Sequence, residues 1–374
     1  MADNELSKMS LTEISSAIAN REVSSIEVVK NSLNILEKEG SSLNCVARLF
    51  PEDAMTKAEL ADHELSSGKS RGPLHGVPLT HKDMFYRKGK ISACGSKICE
   101  NYTPSVTATA LIKLDLSGAL DIGRLNMVEF AYGLTGHNEI TGNVQNPLSP
   151  DHITGGSSSG PAAAVSGNLS YGSLGSDTGG SIRFPASCCG LVGMKPTYGL
   201  VSRYGAMPLS FSLDHIGPLT RTVSDCALLT QIISGPDEND PTSLKHQKHN
   251  YLEKIESGIN GIRIGVSLTN FVDQVDGEVL REMKKSLEVF MSLGAEILEI
   301  DLPESFNISN EMANIITAVE GSSAHRKWLE VRPEDYGRQT RERLLSGSLF
   351  SATDYLEALK LRKVILKEFL KHVF

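Results

Sequence analysis

Apolar residues recur every three or four positions in the first third of the chain, which predicts amphipathic helices. The pattern covers Leu11–Ala19 and residues 25–36. Ser24 and Ser25 are candidate N-caps for the second helix, because a serine hydroxyl can accept from the first free backbone amides. A third helix is predicted over residues 51–65, which are rich in alanine, glutamate and lysine.

From residue 74 onward, short apolar runs alternate with helical patterns. The predicted strands cover residues 76–80, 119–122, 261–266 and 295–300. The predicted helices cover residues 108–117, 126–132, 276–293, 308–329 and 353–374. This alternation favours an α/β fold with a largely covered sheet.

Residues 155–193 differ in composition from the rest of the chain. They contain ten of the 33 glycines together with many serines and alanines. Pro161 is a candidate first residue of a helix that continues over residues 162–166. A strand is predicted over residues 171–175, and a tight glycine turn over residues 177–181. Glycines in such a setting indicate close backbone packing and positive φ angles rather than a flexible linker.

The composition indicates a soluble globular protein and argues against nucleic-acid-binding and membrane proteins. With 40% hydrophobic and 22% charged residues, the chain is typical of a soluble globular protein. A formal net charge of −8 argues against direct nucleic-acid binding. The N-terminus lacks a secretory pattern and no apolar run could span a bilayer, so a cytoplasmic protein without membrane contact is expected. The six cysteines form no CxxC pair and are expected to be reduced and buried.

Three short motifs match known sites only in part. Residues 68–70 resemble the end of a phosphate-binding loop, but its first glycine is replaced by His63. Asp177 begins an Asp-Thr-Gly triplet without the second copy that an aspartic protease needs. Ser158 lies in a Gly-x-Ser-x-Gly pattern, but residues 146–152 before it are a loop rather than the strand of a nucleophile elbow.

A constellation of segments carries a more specific signal. Residues 155–160 read Gly-Gly-Ser-Ser-Ser-Gly, residues 175–186 read Gly-Ser-Asp-Thr-Gly-Gly-Ser-Ile-Arg-Phe-Pro-Ala, and residues 76–83 read Gly-Val-Pro-Leu-Thr-His-Lys-Asp. The set resembles the amidase signature family of serine amidohydrolases, and further matches at residues 118–130 and 191–222 extend the resemblance along the chain. The resemblance implies a mixed sheet with helices on both faces, and neither a metal nor an organic cofactor.

The resemblance also implies the catalytic residues. The family's lysine falls on Lys82, its serine that follows a cis peptide on Ser157, and its nucleophile on Ser181. A serine hydroxyl needs a base, and a buried lysine can be that base because burial lowers its pKa. Lys82 would take a proton from Ser157, which would take one from Ser181, and the same path would protonate the leaving nitrogen.

Other signature residues are expected to support this chemistry. The backbone N–H groups of Thr178, Gly179, Gly180 and Ser181 are expected to form an oxyanion hole. Asp177 and Arg183 are interpreted as an ion pair that holds the loop, with Ser158 as a further structural support. His81 is expected to pack or line a pocket, because neighbouring residues of a strand face opposite ways.

Three functions remain open on the sequence alone. The first is a free-standing amidase that converts a small amide to a carboxylate and ammonia through an acyl-enzyme. The second is the glutaminase subunit of glutamyl-tRNA(Gln) amidotransferase, against which Phe184 counts because that protein commonly carries glutamine there. The third is a truncated, non-catalytic amidase-fold protein, since the family usually continues past a helix like residues 355–374.

The domain prediction follows from the same resemblance. A single amidase domain is expected over residues 1–374, with N-terminal helices at 1–70, a signature core at 74–225 and an incomplete C-terminal part at 226–374. The amide substrate and a homodimeric state are left open.

Overall fold

The structure is a computed structural model that describes residues 3–245, 249–268 and 274–374. The chain divides into two compact units. Unit 1 contains residues 1–252 and 320–347, and unit 2 contains residues 253–319 and 348–374. That these units belong to a single domain stays a prediction.

Helices and strands alternate through most of the chain. The helices are α1 (Asp3–Leu6), α2 (Leu11–Ala19), α3 (Ser25–Ser42), α4 (Pro51–Ser66), α5 (Thr109–Leu116), α6 (Ser159–Ser166), α7 (Arg183–Cys188), α8 (Val223–Ile233), α9 (Gly277–Ser292), α10 (Ser309–Val331), α11 (Arg338–Ser346) and α12 (Ala352–Val373). The strands are β1 (Val46–Leu49), β2 (Pro78–Lys82), β3 (Leu120–Leu125), β4 (Ser173–Asp177), β5 (Val192–Gly193), β6 (His215–Thr220), β7 (Arg263–Val266) and β8 (Glu296–Glu299).

The N-terminal helices begin where the sequence predicts. Ser10 and Ser24 are the N-caps of α2 and α3, and each forms a capping box with a glutamate three residues later, Glu13 or Glu27. These reciprocal bonds satisfy backbone N–H groups that have no partner in the helix. Ser25 is therefore the first residue of α3 rather than its cap.

Two sheets form the centre of unit 1. In the first, β3 lies between an antiparallel β1 and a parallel β2. In the second, β6 lies between β4 and β5, and both pairs are antiparallel. The backbone N–H of Leu174 in β4 donates to His81 Nδ1 in β2, which ties the sheets together (3.2 Å). The predicted α/β fold with mixed strand directions is confirmed.

Helices cover these strands with apolar side chains. The cluster beside β3 draws buried residues from α3, α4 and α6 and includes Val29, Leu36, Ala58, Ile122 and Ala163. A second cluster joins α2, α5 and α8 to β2 and β4. Because both strands are buried along their whole length, polar side chains on them face protein rather than water.

Some local predictions are wrong. Residues 126–132 form a short 3-10 turn at Glu129–Ala131 instead of a helix, because Phe130 and Ala131 adopt positive φ angles of 49° and 61°. Buried Glu129 explains the turn, since its carboxylate accepts from the Ser96 hydroxyl and the Gly337 N–H. Pro161 is the third residue of α6 and not the first, and β4 begins two residues later than predicted.

Unit 2 is built from the parallel pair β7–β8, α9, the first part of α10 and α12. Within it, α12 packs on the 3-10 turn Glu304–Ile308, with the rings of Phe306 and Phe369 centred 6.0 Å apart. In the part of the chain that the structure describes, no helix is long and apolar enough to cross a membrane. All six cysteines are free, and only Cys188 is not fully buried.

Candidate active site

Lys82 is the last residue of β2 and its side chain is fully buried. Its Nζ donates to Ser157 Oγ at 2.7 Å and to Ser176 Oγ at 2.9 Å. Both partners are hydroxyls on segments far away in the sequence. The fold therefore brings two of the expected site residues, Lys82 and Ser157, into direct contact.

The surroundings of Lys82 change its acidity. Burial lowers the pKa of Lys82 to about 7, although the negative charges of Asp177 and Asp214 act in the opposite direction. Burial disfavours the charged form of an amine, and hydroxyl groups compensate less than a paired carboxylate would. A substantial fraction of Lys82 is therefore neutral at neutral pH.

Ser157 is held in the turn that precedes α6. The peptide bond between Gly156 and Ser157 is cis, as the resemblance implies. The Ser157 carbonyl accepts from the N–H of Val128 (3.2 Å), and the side chain is fully buried. These contacts leave the Ser157 hydroxyl facing Lys82.

Ser158 connects this turn to the second signature segment. Its N–H donates to the Ser181 carbonyl (3.3 Å), and its hydroxyl donates to the Ser176 carbonyl (3.4 Å). A side chain at Gly175 would collide with Ser158, because an added Cβ would lie 2.6 Å from the Ser158 Oγ. Glycine at that position is what allows the two segments to approach.

Asp177 organises the turn that carries Ser181. One carboxylate oxygen accepts from the Gly180 N–H (2.8 Å), and the other accepts from the Ile182 N–H (3.2 Å). The guanidinium of Arg183 forms an ion pair with the same carboxylate at 2.8 Å. Burial alone would raise the pKa of Asp177, but the bonds and charge of Arg183 hold it below its usual range.

One of the expected oxyanion donors has a partner in this structure, since the Gly180 N–H donates to Asp177 Oδ1. The oxyanion role of Thr178, Gly179, Gly180 and Ser181 stays a prediction. Ser181 lies at the end of the turn and is 4% exposed. Among the described residues, the hydroxyls of Ser181 and Ser157 form no direct hydrogen bond, and the two segments are joined by the backbone N–H and the hydroxyl of Ser158.

His81 has the packing role that its strand position predicts. Its side chain is buried, its ring lies edge-on to Phe85, and its Nδ1 accepts from the Leu174 N–H. Burial lowers the pKa of His81 to about 3, so the ring is neutral. A ring nitrogen that accepts a backbone bond cannot also act as a base toward Ser157.

Ser176 is the contact that the sequence analysis missed. It is a buried polar residue of β4 and lies one position beyond the strand predicted over residues 171–175. The bond from Lys82 Nζ places the Ser176 hydroxyl beside the end of β2. Among the described residues, no group of three histidine, cysteine or acidic side chains is placed to hold a metal ion.

Comparisons with known proteins agree with this geometry. A family model described as amidase matches residues 27–373. The A subunit of glutamyl-tRNA(Gln) amidotransferase from Lachnospira eligens is 36% identical, over 97% of this chain and 79% of that protein. A solved structure described as an amidase is 36% identical with a TM-score of 0.87, covering 98% of this chain and 80% of the other.

A more distant structure has the same fold. A bacterial aryl acylamidase of the amidase signature family is 27% identical with a TM-score of 0.87, and the match covers 95% of this chain and 75% of that chain. The family match covers nearly all of the sequence, including both glycine–serine segments and the lysine strand. The chain therefore belongs to the amidase signature family of amide hydrolases.

Proposed function

We propose that this chain hydrolyses a carboxylic amide to a carboxylate and ammonia or an amine, with Ser181 as nucleophile and Lys82 as base. One observation supports the assignment most directly: Lys82 is a fully buried amine with a pKa of about 7 and donates to Ser157 at 2.7 Å. A lysine in such a state can accept a proton at neutral pH.

The contact between Lys82 and Ser157 is the first step of the proposed proton path. Neutral Lys82 removes the Ser157 proton while Ser157 removes the Ser181 proton, and Ser181 Oγ bonds to the carbonyl carbon. The same proton returns through Ser157 to the amide nitrogen, and the C–N bond then breaks. Water attacks the acyl-enzyme by the same route and releases the carboxylate. Proton delivery is essential because an unprotonated amide nitrogen is a poor leaving group.

The backbone amides of Thr178, Gly179 and Ser181 are the oxyanion donors in this proposal. They lie in the turn that Asp177 and Arg183 hold, next to the nucleophile. A donor of this kind stabilises the transition state because it is oriented before charge develops on the oxygen.

The surroundings of the turn favour a free amidase that takes apolar amides. An added Cβ at Gly180 would lie 3.8 Å from Phe184 Cβ and 4.0 Å from Leu134 Cδ2. Both side chains are exposed, Phe184 by 38% and Leu134 by 43%. An exposed apolar pair beside a nucleophile suits an alkyl or aryl substituent better than a charged one.

The first test is the loss of amide hydrolysis in the Ser181→Ala variant. We expect ammonia release from benzamide and hexanamide by the unmodified chain, and a fall of about 10³-fold or more in Ser181→Ala, because the nucleophile is absent. Ser292→Ala is the matched control, since its hydroxyl bonds only to a neighbouring carbonyl of α9. Full activity in Ser181→Ala, or no hydrolysis of any amide by a sample that is folded by circular dichroism, contradicts the proposal.

A second candidate is the glutaminase component of an amidotransferase, because curated relatives at 36% identity are named as the A subunit of that enzyme. In that case glutamine is the ammonia donor and other protein components are required. Ammonia release from glutamine that appears only after the remaining components of the amidotransferase are added favours this candidate. Release from apolar amides by the chain alone favours the free amidase.

A further inference from the structure

Asp214 contacts the nucleophile turn at Thr178. Its Oδ1 accepts from the Thr178 hydroxyl at 2.5 Å. Its Oδ2 accepts from the backbone N–H groups of Leu209 and Ser210, at 2.9 and 3.0 Å. With its side chain buried and three donors around it, Asp214 joins the turn to the segment just before β6.

That segment is itself held by a second buried carboxylate. Glu320 of α10 accepts from the Ser210 hydroxyl (2.5 Å), the Ser212 hydroxyl (2.7 Å) and the Ser212 N–H (3.0 Å). Glu320 is 3% exposed. These three bonds to one buried side chain restrict the segment that contains Asp214.

The turn needs such an anchor. Gly179 has no atom within 4 Å of where its Cβ would be, and Gly180 has a φ of +128°. Because glycine has no Cβ to restrict φ and ψ, two consecutive glycines let the backbone rotate unless other contacts hold it. Asp177 holds the end of the turn at Gly180 and Ile182. The beginning of the turn, at Thr178, is held through its side chain by Asp214.

We propose that Asp214 is a positioning residue, which through the Thr178 hydroxyl keeps the amides of Thr178, Gly179 and Ser181 directed at the oxygen of the tetrahedral intermediate. The inference rests on the proposed function, because it assigns a role in that same reaction. Asp214 touches no reacting atom; it acts on the rate through the direction of backbone dipoles.

Thr178 is the better residue to change. A cavity of about 240 Å³ borders Asp214, so removing that carboxylate would open more space and leave the Leu209 and Ser210 amides without an acceptor. Thr178→Val keeps the shape of the side chain and removes only the hydroxyl. Thr178→Ser keeps the hydroxyl and removes the methyl group.

The matched control is Thr109→Val. The Thr109 hydroxyl donates to Asp237 at 2.5 Å, so this variant removes the same kind of bond outside the turn. We expect kcat for benzamide to fall about 10- to 100-fold in Thr178→Val, with KM within about threefold of the unmodified chain, because misdirected donors affect the transition state and not the bound amide. Thr178→Ser should recover most of that loss, and Thr109→Val should keep kcat.

Each other outcome is decisive. If Thr178→Val and Thr109→Val have equal kcat values, or if Thr178→Ser is as slow as Thr178→Val, the positioning role is wrong. A loss that appears in KM alone places Thr178 in substrate binding and also overturns it. Ser181→Ala is measured beside them: if it retains activity, the proposed function fails, whereas an inactive Ser181→Ala with an unaffected Thr178→Val overturns only the inference about Asp214.

Discussion

Two buried cations lie on neighbouring strands of unit 1, and their surroundings differ. Lys82 ends β2 and Arg124 lies on β3, where His81 pairs with Arg124 and Lys82 with Leu125. Lys82 is 0% exposed and Arg124 is 1% exposed. Burial is therefore the same for both side chains. The chemical nature of their partners accounts for the difference in their protonation.

Arg124 is paired with a carboxylate. Its two terminal nitrogens donate to the two oxygens of Asp121 at 2.6 and 2.9 Å, and Arg87 bonds to Asp121 and Asp115. Burial alone would raise the pKa of Asp121, but the two guanidinium groups hold it well below its usual range. Since a guanidinium stays protonated and Asp121 is held in its charged form, the network is a structural one.

Among the residues that the structure describes, the hydrogen-bond partners of Lys82 are the hydroxyls of Ser157 and Ser176. Without a carboxylate in contact, the cost of burying its charge is met by deprotonation, which a guanidinium cannot undergo. The same degree of burial thus gives a permanent charge on β3 and a candidate base at the end of β2.

The largest expected effect comes from placing at position 82 the residue type found at position 124. Lys82→Arg replaces an amine that can be neutral by a group that stays protonated at every working pH. We expect amide hydrolysis to fall by about 10³-fold or more, measured as ammonia release. Lys285→Arg, an exposed substitution on α9, serves as the control. Substantial activity in Lys82→Arg would show that a neutral amine is not required.

Breaking the carboxylate pair should affect stability instead. Asp121→Asn leaves Arg124 and Arg87 buried without their shared counter-charge, and we expect a loss of about 3–5 kcal/mol in the free energy of unfolding. Urea denaturation measures it. Glu282→Gln removes an exposed pair with Lys285 and should cost about 1 kcal/mol or less. If the two variants are equally stable, the buried network contributes no more than a surface pair.

The smallest expected effect is a shift of the pH–rate profile, which tests how the hydroxyl partners of Lys82 affect its pKa. Because only neutral Lys82 accepts a proton, the rate should rise with pH through about 7, the pKa of that amine. Ser176 Oγ accepts from the charged form and so stabilises it. Ser176→Ala should lower the pKa of Lys82 and move the midpoint of the pH–rate profile to lower pH, by about one unit. A midpoint that moves upward would exclude this role for Ser176.

The sequence predicts best what depends on local chemistry. Ser10 and Ser24 each precede a glutamate by three residues, and the helices begin there. The amidase family, the α/β fold and the contact between Lys82 and Ser157 also follow from motifs. The cis peptide at Ser157 is found where the resemblance places it.

What depends on distant neighbours was not predicted. The strands β1 and β6 pair with β3 and β4, far away along the chain, and periodicity alone did not reveal them. Residues 126–132 have a helical composition, but Glu129 is bonded to Gly337 and the chain turns instead. Ser176 and Asp214 matter through contacts that only the folded backbone brings together.

Lys82 combines a pKa of about 7 with a side chain that solvent does not reach. An amine of that pKa would react readily with acylating reagents, whereas lysines exposed at the surface are protonated and react slowly at neutral pH. In the folded chain Lys82 reacts more slowly than the exposed lysines, because a bulky reagent cannot approach the end of β2. Any opening that admits a reagent also removes the burial that lowers the pKa of Lys82. Acylation of Lys82 would therefore be slow, at a rate set by how often the end of β2 opens and by the low reactivity of an ordinary exposed lysine.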